Sequence, residues 1–512
     1  MAAARKCLTP GLAMAVVWLA ALKLALHLYA GHNYGYFVDE LYYLACGRHL
    51  DWGYVDQPPL IALAAAITRV TLGESLRAIR ILPALAGSGV VLLTGLIARE
   101  LGGRRFAQGL ASLGVLVAPG FLAIDSFFSM NAFEPLFWMG CALVVIRIIR
   151  TGNQRLWLWF GVLAGLGLEN KHSMLIFGFG LIAGLLVTTE RRQLRSPWFC
   201  LAGLLALLIF LPNLWWNWLH HFPFLELQAN IKRAHRDIAL SPLGFLGQEV
   251  LTMLPLSLPI WLAGIWFYLF SAAGKPFRVL GWAWLLTMAV IMAMSPRVYY
   301  PWPAFPLLFA AGGVAWEAWL AAPRLQWLKP AWVSALVLLG AFFAPFVIPV
   351  LPVETYIRYA HATGFQQPKI ETHELGPLPQ IYADQFGWED MVRKLAEVYN
   401  GLPPGVRFQT AIFAQNYGQA GAVDLFGPKY GLPSAISGHQ TYFLWGPRGY
   451  TGASMIVMAG RQADLESKFA SVEKVAHVNH PYSMPYEHFD IFYCRGLKWP
   501  LSEFWPKLKN WD

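Results

Sequence analysis

Charge is what this chain has least of. Only 13% of its 512 residues are Asp, Glu, Lys or Arg, while 57% are hydrophobic. A soluble protein carries about a quarter charged residues. Composition therefore excludes a water-soluble globular fold and points to an integral membrane protein. Cysteine is scarce too, with five residues, no C-x-x-C pair and no zinc-type spacing. That removes a disulfide scaffold, a thioredoxin-like redox motif and a structural zinc site. Cys141 and Cys200 fall in apolar runs and Cys7 precedes the first run. Cys46 and Cys494 share the expected outer side, but nothing in their spacing argues for a bond between them. Internal repeats and low-complexity tracts are also lacking. The net charge of +10 is no nucleic-acid signature. Its basic residues fall between apolar runs, where orientation signals belong.

Long apolar runs are what the chain has instead. A spanning helix needs roughly 20 mostly apolar residues, and about eleven runs qualify, to within one or two. They lie near 10–30, 79–98, 106–123, 132–149, 156–170, 173–189, 198–218, 250–270, 279–295, 300–320 and 331–351. Arg5 and Lys6 precede the first run, which reads as a retained helix rather than a cleaved signal peptide. With a cytoplasmic N-terminus, every short basic loop lands on one side. These loops hold Arg99, Arg104 and Arg105; Arg147, Arg150 and Arg155; Arg191, Arg192 and Arg195; Lys275 and Arg278; and Arg324 and Lys329. The positive-inside rule makes that side cytoplasmic. The expected fold is a polytopic all-α membrane bundle over 1–352, followed by an extracytoplasmic α/β domain over 353–512. In that domain Trp388 to Tyr399 reads as an amphipathic helix. Phe408 to Phe413, Ala453 to Met458 and Glu487 to Tyr493 read as short buried strands.

The residues able to do chemistry cluster on the outer side. Asp39 and Glu40 follow the first run, at the head of the outer loop 31–78. Adjacent carboxylates at a membrane boundary cost free energy unless water, cations or a substrate meet them. One of them could take a proton from an acceptor hydroxyl or hold a metal. Asp39 could equally cap a helix starting at Glu40. Asp56 precedes Pro58 and Pro59 and is a second acidic candidate. Asp125 and Glu134 flank the start of the fourth run, where an unpaired carboxylate is expensive. A capping arrangement around Asn131 is the plainer reading of that start.

Glu169, Asn170, Lys171 and His172 break two apolar runs. They form either a tight turn or a cationic mouth for a lipid-linked phosphate. Arg297 lies in a turn with Tyr299 and Tyr300, and its forked guanidinium suits a phosphate. An interfacial anchor in an aromatic belt is the alternative. In loop 219–249, Lys232, Arg233 and Arg236 read as a segment on anionic lipid. Asp39, Asp56, His220 and His221 are the candidate donors should a divalent metal ion be required.

Taken together, these motifs resemble the GT-C glycosyltransferases. They are the acidic pair after the first span, Asp56-Gln57-Pro58-Pro59-Leu60, a basic turn between spans five and six, and Arg297-x-Tyr299-Tyr300-x-x-Pro303. More narrowly, the chain is similar to the bacterial protein-mannosyltransferase/aminoarabinose-transferase group, glycosyltransferase family 39 or 83. The stretches from Tyr382 to Trp388 and from Phe413 to Gly418 also resemble segments of that group.

The resemblance implies transfer of one sugar from a polyprenyl-phosphate donor to an acceptor outside the bacterial cytoplasmic membrane. The acceptor could be protein, lipid or glycan. Asp39 would be the base or metal-associated carboxylate, with Glu40 beside it. Asp56 and Gln57 match an acidic-Lys pair in relatives, so Gln57 departs from the pattern. Lys171 and His172 fall where relatives often have Lys-Gly-Pro. Arg297, Tyr299 and Tyr300 match an element that relatives place near the lipid phosphate. The alternative class is a secondary transporter or lipid flippase, which often shows repeated halves that this sequence lacks.

Overall fold

The computed structural model describes residues 11–512 apart from Asp237, Ala239, Ser295, Pro296 and Ile370. Arg5, Lys6, Cys7 and the Ser295-Pro296 end of the ninth run lie outside the described residues. The chain divides into two compact units. The first takes Met1–Gly31, Arg80–Leu214 and Ala239–Leu351, and the second takes His32–Ile79, Trp215–Ile238 and Pro352–Asp512. The second unit is therefore larger than the C-terminal region, because it also draws in the first outer loop and part of loop 219–249.

The first unit is all helical. A helix occupies each of the eleven expected positions, from Met14–Ala30 to Leu328–Val347. Among the described residues five helices are long and apolar enough to cross a membrane, and seven if two bent pairs each count as one. Shortening has local causes. Pro119 splits the third run into Arg105–Val117 and Pro119–Ile124, since proline cannot continue the helix before it. In the eighth run Pro242–Thr252 meets Pro255–Phe270 at 96°, with Leu254 at φ 73° between them.

Packing of the bundle uses small residues. A Cβ on Gly264 would lie 2.2 Å from Leu308 O, and one on Gly312 would lie 1.9 Å from Ile260 O. The helices Leu258–Phe270 and Phe305–Trp319 thus touch backbone to backbone, as dispersion-driven packing in lipid favours. Helix Pro197–Leu219 exposes Leu204, Leu208, Leu211, Trp215 and Trp218. Such a surface needs hydrocarbon around it.

One ion pair in this bundle was not visible as such in the sequence. Lys23, inside the first apolar run, pairs with Asp125 at 2.8 Å, and both side chains are at most 2% exposed. Its Nζ also donates to Phe121 O at 2.8 Å. Asp125, a candidate substrate contact by sequence, is thus occupied within the core. The physical reason is the cost of an unpaired charge there.

The second unit contains a five-stranded sheet: β1 (Thr410–Ala414), β2 (Ile436–Ser437), β3 (Ser454–Met458), β4 (Phe469–Val478) and β5 (Phe489–Leu497). Their order is β2-β1-β3-β5-β4. β1 runs parallel to both neighbours, and β5 is antiparallel to β3 and β4. The central strands β1 and β3 are continuous apolar runs, buried along their whole length, as two covered faces require. Strands β1, β3 and β5 and the helix Trp388–Gly401 agree with the sequence reading. β4 escaped it because this edge strand mixes Glu473, Lys474 and His477 into its apolar residues. Cys46 and Cys494 are both free and buried.

Removing one partner of a buried pair leaves the other charge stranded, at about 3–5 kcal/mol. Asp125→Ala should therefore lower thermal stability sharply in detergent. Lys23→Met combined with Asp125→Leu should recover most of it and keep turnover. A stable Asp125→Ala protein that has lost only turnover would return Asp125 to the substrate contacts.

Candidate functional site

In the second unit the first outer loop and the C-terminal region build one polar cluster. The helix Val38–Arg48 starts two residues earlier than a cap at Asp39 would require. Phe37 is its N-cap, and Glu40 reaches back to accept the Phe37 N–H at 2.8 Å. Glu40, fully buried, is thus the capping carboxylate, and its charge also suits the helix N-terminus.

Asp39 is left to meet Tyr417, whose hydroxyl donates to Asp39 Oδ1 at 2.7 Å. Glycine spacing explains why these residues meet. The helix Tyr417–Phe426 lays Gly418 against Val38 and Gly421 against Leu41. A Cβ at position 421 would come 2.8 Å from Leu41 O. Two turns of small residues let the helices approach closely enough for a phenol at one end to reach Asp39.

Tyr417 is itself held firmly. Its ring lies parallel to His439 at 4.9 Å, and its N–H donates to His439 Nδ1 at 3.0 Å. His439 Nε2 lies 3.2 Å from Asp512 Oδ1. On its other side Tyr417 packs at 4.8 Å against Tyr42, whose hydroxyl donates to Asp56 Oδ1 at 2.8 Å. Thus Asp39 and Asp56, both singled out by sequence, are joined through two packed tyrosines.

Sequence reasoning missed the rest of the cluster. Asp384 Oδ1 accepts from the Tyr486 hydroxyl at 2.8 Å. Glu487 accepts from Asn416 Nδ2 and Gln419 Nε2, each at 2.8 Å. Glu371 is met by Arg236 at 3.2 Å and by Gln380 at 3.1 Å. Arg236 is therefore tied into this unit rather than set aside for lipid, while Lys232 and Arg233 stay exposed. The signal for Asp384 and Tyr417 was present, since each lies in one of the two C-terminal segments that resemble the GT-C group.

Burial pushes the Asp56 carboxyl up to about 7, and the charge of Asp39 adds to the shift. Asp384 is pushed up to about 8 by burial, then by Glu371, Asp39 and Glu487. Burial raises Glu487 to about 7. The Tyr417 phenol is raised well above its ordinary value by burial and by Asp39. It therefore stays protonated and remains a donor.

The other candidates in this unit fall outside the cluster's polar centre. Gln57 is buried and turns its amide toward Cys46 Sγ at 3.7 Å. His220 stacks on Trp216 at 4.0 Å and bonds its carbonyl at 2.8 Å. Among the described residues no group of three or more His, Cys, Asp or Glu could hold a metal, so Asp39, Asp56, His220 and His221 are not assembled as a ligand set.

The first unit brings a second set together. Glu134, in the first turns of helix Met130–Thr151, pairs with Lys171 at 2.9 Å and accepts from Ser173. Lys171 also donates to Asn131 Oδ1 at 2.7 Å. Its ammonium lies over the rings of Tyr300 at 4.7 Å and Tyr299 at 5.3 Å. Three separate sequence candidates, the fourth-span start, the 169–173 turn and the Arg297 turn, thus converge on one cation. Asn170 fastens the turn by donating to Met130 O at 2.9 Å. His172 is held apart, by Asn213 at 3.3 Å. Arg297 is half-buried, and its carbonyl accepts the Tyr300 N–H at 3.2 Å.

Comparison with known proteins finds similarity in one segment of the sequence and in the fold. Residues 56–216 match the family described as Dolichyl-phosphate-mannose-protein mannosyltransferase. The fold is similar to that of ArnT from Cupriavidus metallidurans bound to undecaprenyl phosphate. Its TM-score is 0.63 at 14% identity, covering 93% of this chain and 97% of that one. The same protein in its apo state gives a TM-score of 0.60 at 14% identity, covering 94% and 97%. The fold is thus of the kind that the sequence resemblance implied, and the family match falls on its N-terminal half. A curated relative is the lipid A galacturonosyltransferase RgtD of Rhizobium johnstonii, 29% identical over 187 residues. That match covers 36% of this chain and spans 39% of the relative's length.

The raised carboxyls fix the sign of a pH dependence. Unfolded Asp and Glu ionise near pH 4. Between about pH 4 and about pH 8 the folded unit therefore holds more protons than the unfolded chain, and its stability falls as pH rises. Above about pH 8 this contribution levels off. Hydrogen exchange of the sheet amides should show less protection at pH 8.5 than at pH 5. Asp384→Asn should flatten that slope, and an unchanged slope would exclude Asp384 as a source.

Proposed function

We propose that this chain moves a sugar from a polyprenyl-phosphate donor to an acceptor outside the cytoplasmic membrane. The observation carrying the reading is the Asp39 carboxylate gripped by the half-buried Tyr417 phenol, in a fold similar to a protein crystallised with undecaprenyl phosphate. The curated relative's name makes galacturonic acid the first sugar to try, and lipid A the first acceptor.

The chemistry follows from where charge moves. The acceptor hydroxyl must lose a proton as it attacks the anomeric carbon, and the prenyl phosphate must leave as an anion. Asp39 takes the proton. Tyr417 fixes one oxygen of that carboxylate by a neutral hydrogen bond, which orients the base without cancelling its charge. Attack and departure in a single step invert the anomeric centre. Arg297 meets the departing phosphate, since its forked donors fit two oxygens. Lys171 supports it from a mount of Glu134, Tyr299 and Tyr300.

Purified chain in lipid nanodiscs, offered undecaprenyl-phosphate-linked galacturonate, mannose and aminoarabinose with lipid A, tests this. Asp39→Asn should cost on the order of a hundred- to ten-thousand-fold in turnover, the range for a general base. Tyr417→Phe should lower kcat more than acceptor KM and move the acidic limb of the pH profile. Arg297→Lys should keep part of the donor affinity and little turnover. Near-parental rates in Asp39→Asn would remove it as the base. Full activity in Arg297→Lys would make Arg297 an interfacial anchor.

The same reading puts the second unit's sheet outside the cytoplasm, because the five basic loops share the opposite side. In a chain whose native cysteines are replaced, a cysteine at exposed Arg461 should react with a membrane-impermeant maleimide on whole spheroplasts. Labelling only after lysis would overturn that orientation.

A further inference from the structure

The sheet of the second unit does not fill the space over one of its faces. Phe413 of β1, Met455 and Val457 of β3 and Phe469 of β4 line that face, with Leu501 and Phe504 closing it. All six side chains are buried, yet they bound a cavity of about 270 Å³. Native interiors pack as densely as organic crystals and leave few voids larger than a water molecule. In another protein an engineered apolar cavity of about 150 Å³ stays dry and takes up benzene. This cavity is larger still.

Its polar border carries one sign of charge. Lys468, Lys507 and Lys509 line it, and no Asp or Glu does. Lys509 is already paired with Glu226 at 2.7 Å. Lys507 lies 5.7 Å from the Trp499 ring and 5.8 Å from the Phe504 ring. Among the described residues neither Lys468 nor Lys507 is paired with a carboxylate. The far wall is tight. The Asn510 N–H donates to Gly438 O at 2.8 Å, and a Cβ at 438 would lie 1.8 Å from Leu508 O.

We propose that this cavity binds a single-chain anionic amphiphile of the fatty-acid type. Scaled from benzene, the chamber takes an alkyl chain of on the order of ten carbons. An apolar tail there leaves water, and the carboxylate head meets Lys468 and Lys507 at the border. A cationic or neutral head would gain nothing from that border. The site is separate from sugar transfer and does not depend on it.

The test uses the full chain in lipid nanodiscs and a decanoate carrying a diazirine at its tail. Photolabel should fall on peptides spanning 455–469 and 501–508. Unlabelled decanoate should remove it, and decyltrimethylammonium at the same concentration should not. Lys468→Glu with Lys507→Glu should weaken decanoate competition by about tenfold or more, the scale of a lost charged hydrogen bond. Val457→Phe should fill the chamber and abolish labelling. Should that variant fail to fold, the double lysine variant, which leaves the core untouched, carries the decision. Label confined to the apolar spans would overturn the proposal. So would equal competition by decyltrimethylammonium, or unchanged decanoate competition in the double lysine variant.

Discussion

A carboxylate taken out of water must be met by a cation or by proton donors, and this chain's architecture follows from how it meets that demand. In the membrane bundle the answer is lysine. Lys23 takes Asp125, and Lys171 takes Glu134. Each pair ties together segments far apart in sequence and so fixes helix positions as well as charge. In the second unit the answer is mostly tyrosine and amide. Tyr417 meets Asp39, Tyr42 meets Asp56, Tyr486 meets Asp384, and Asn416 with Gln419 meets Glu487.

The difference has a chemical consequence. An ammonium neutralises its carboxylate and makes it a weaker base. A phenol orients the carboxylate and leaves its charge in place. Burial raises the proton affinity of such a carboxylate and its acidic neighbours add to it, which is why Asp384 is pushed up to about 8. A base that must take a proton from a sugar or lipid hydroxyl benefits from both effects: fixed aim and raised basicity. The tyrosine-held cluster therefore suits proton transfer, and the lysine-held pairs suit scaffolding or anion contact.

Much of this was legible in the sequence where the signal is local. Each of the eleven apolar runs holds a helix, because hydropathy over some twenty residues is a local signal, although among the described residues only five to seven are long and apolar enough to span. Strands β1 and β3 announced themselves as short apolar runs. The acidic pair pointed at Asp39. What could not be read depended on partners distant in sequence. Lys23 sat unnoticed in an apolar run because its stabilising partner lies 102 residues away, at Asp125. That Phe37 rather than Asp39 is the cap depended on the Phe37 backbone, whose N–H Glu40 accepts. Asp384, Glu487 and Tyr486 carry no spacing that marks them, and only folding brings them to the first outer loop.

Gln57 shows how one departure redistributes a task. Where the resemblance implies a lysine, this chain has an amide, buried beside Cys46 rather than turned to a ligand. A lysine there would have to bury its charge against a thiol that burial pushes well above its ordinary range. Such a thiol is neutral, so the lysine would find no anion in it. Replacing it with glutamine spares the fold that cost and removes one fixed cation from the outer loop. Any phosphate charge that develops during transfer must then be met by cations elsewhere in the chain. Lys171 already shares its charge with Glu134, so under the proposed transfer a larger part of that load falls on Arg297, whose forked donors fit two phosphate oxygens.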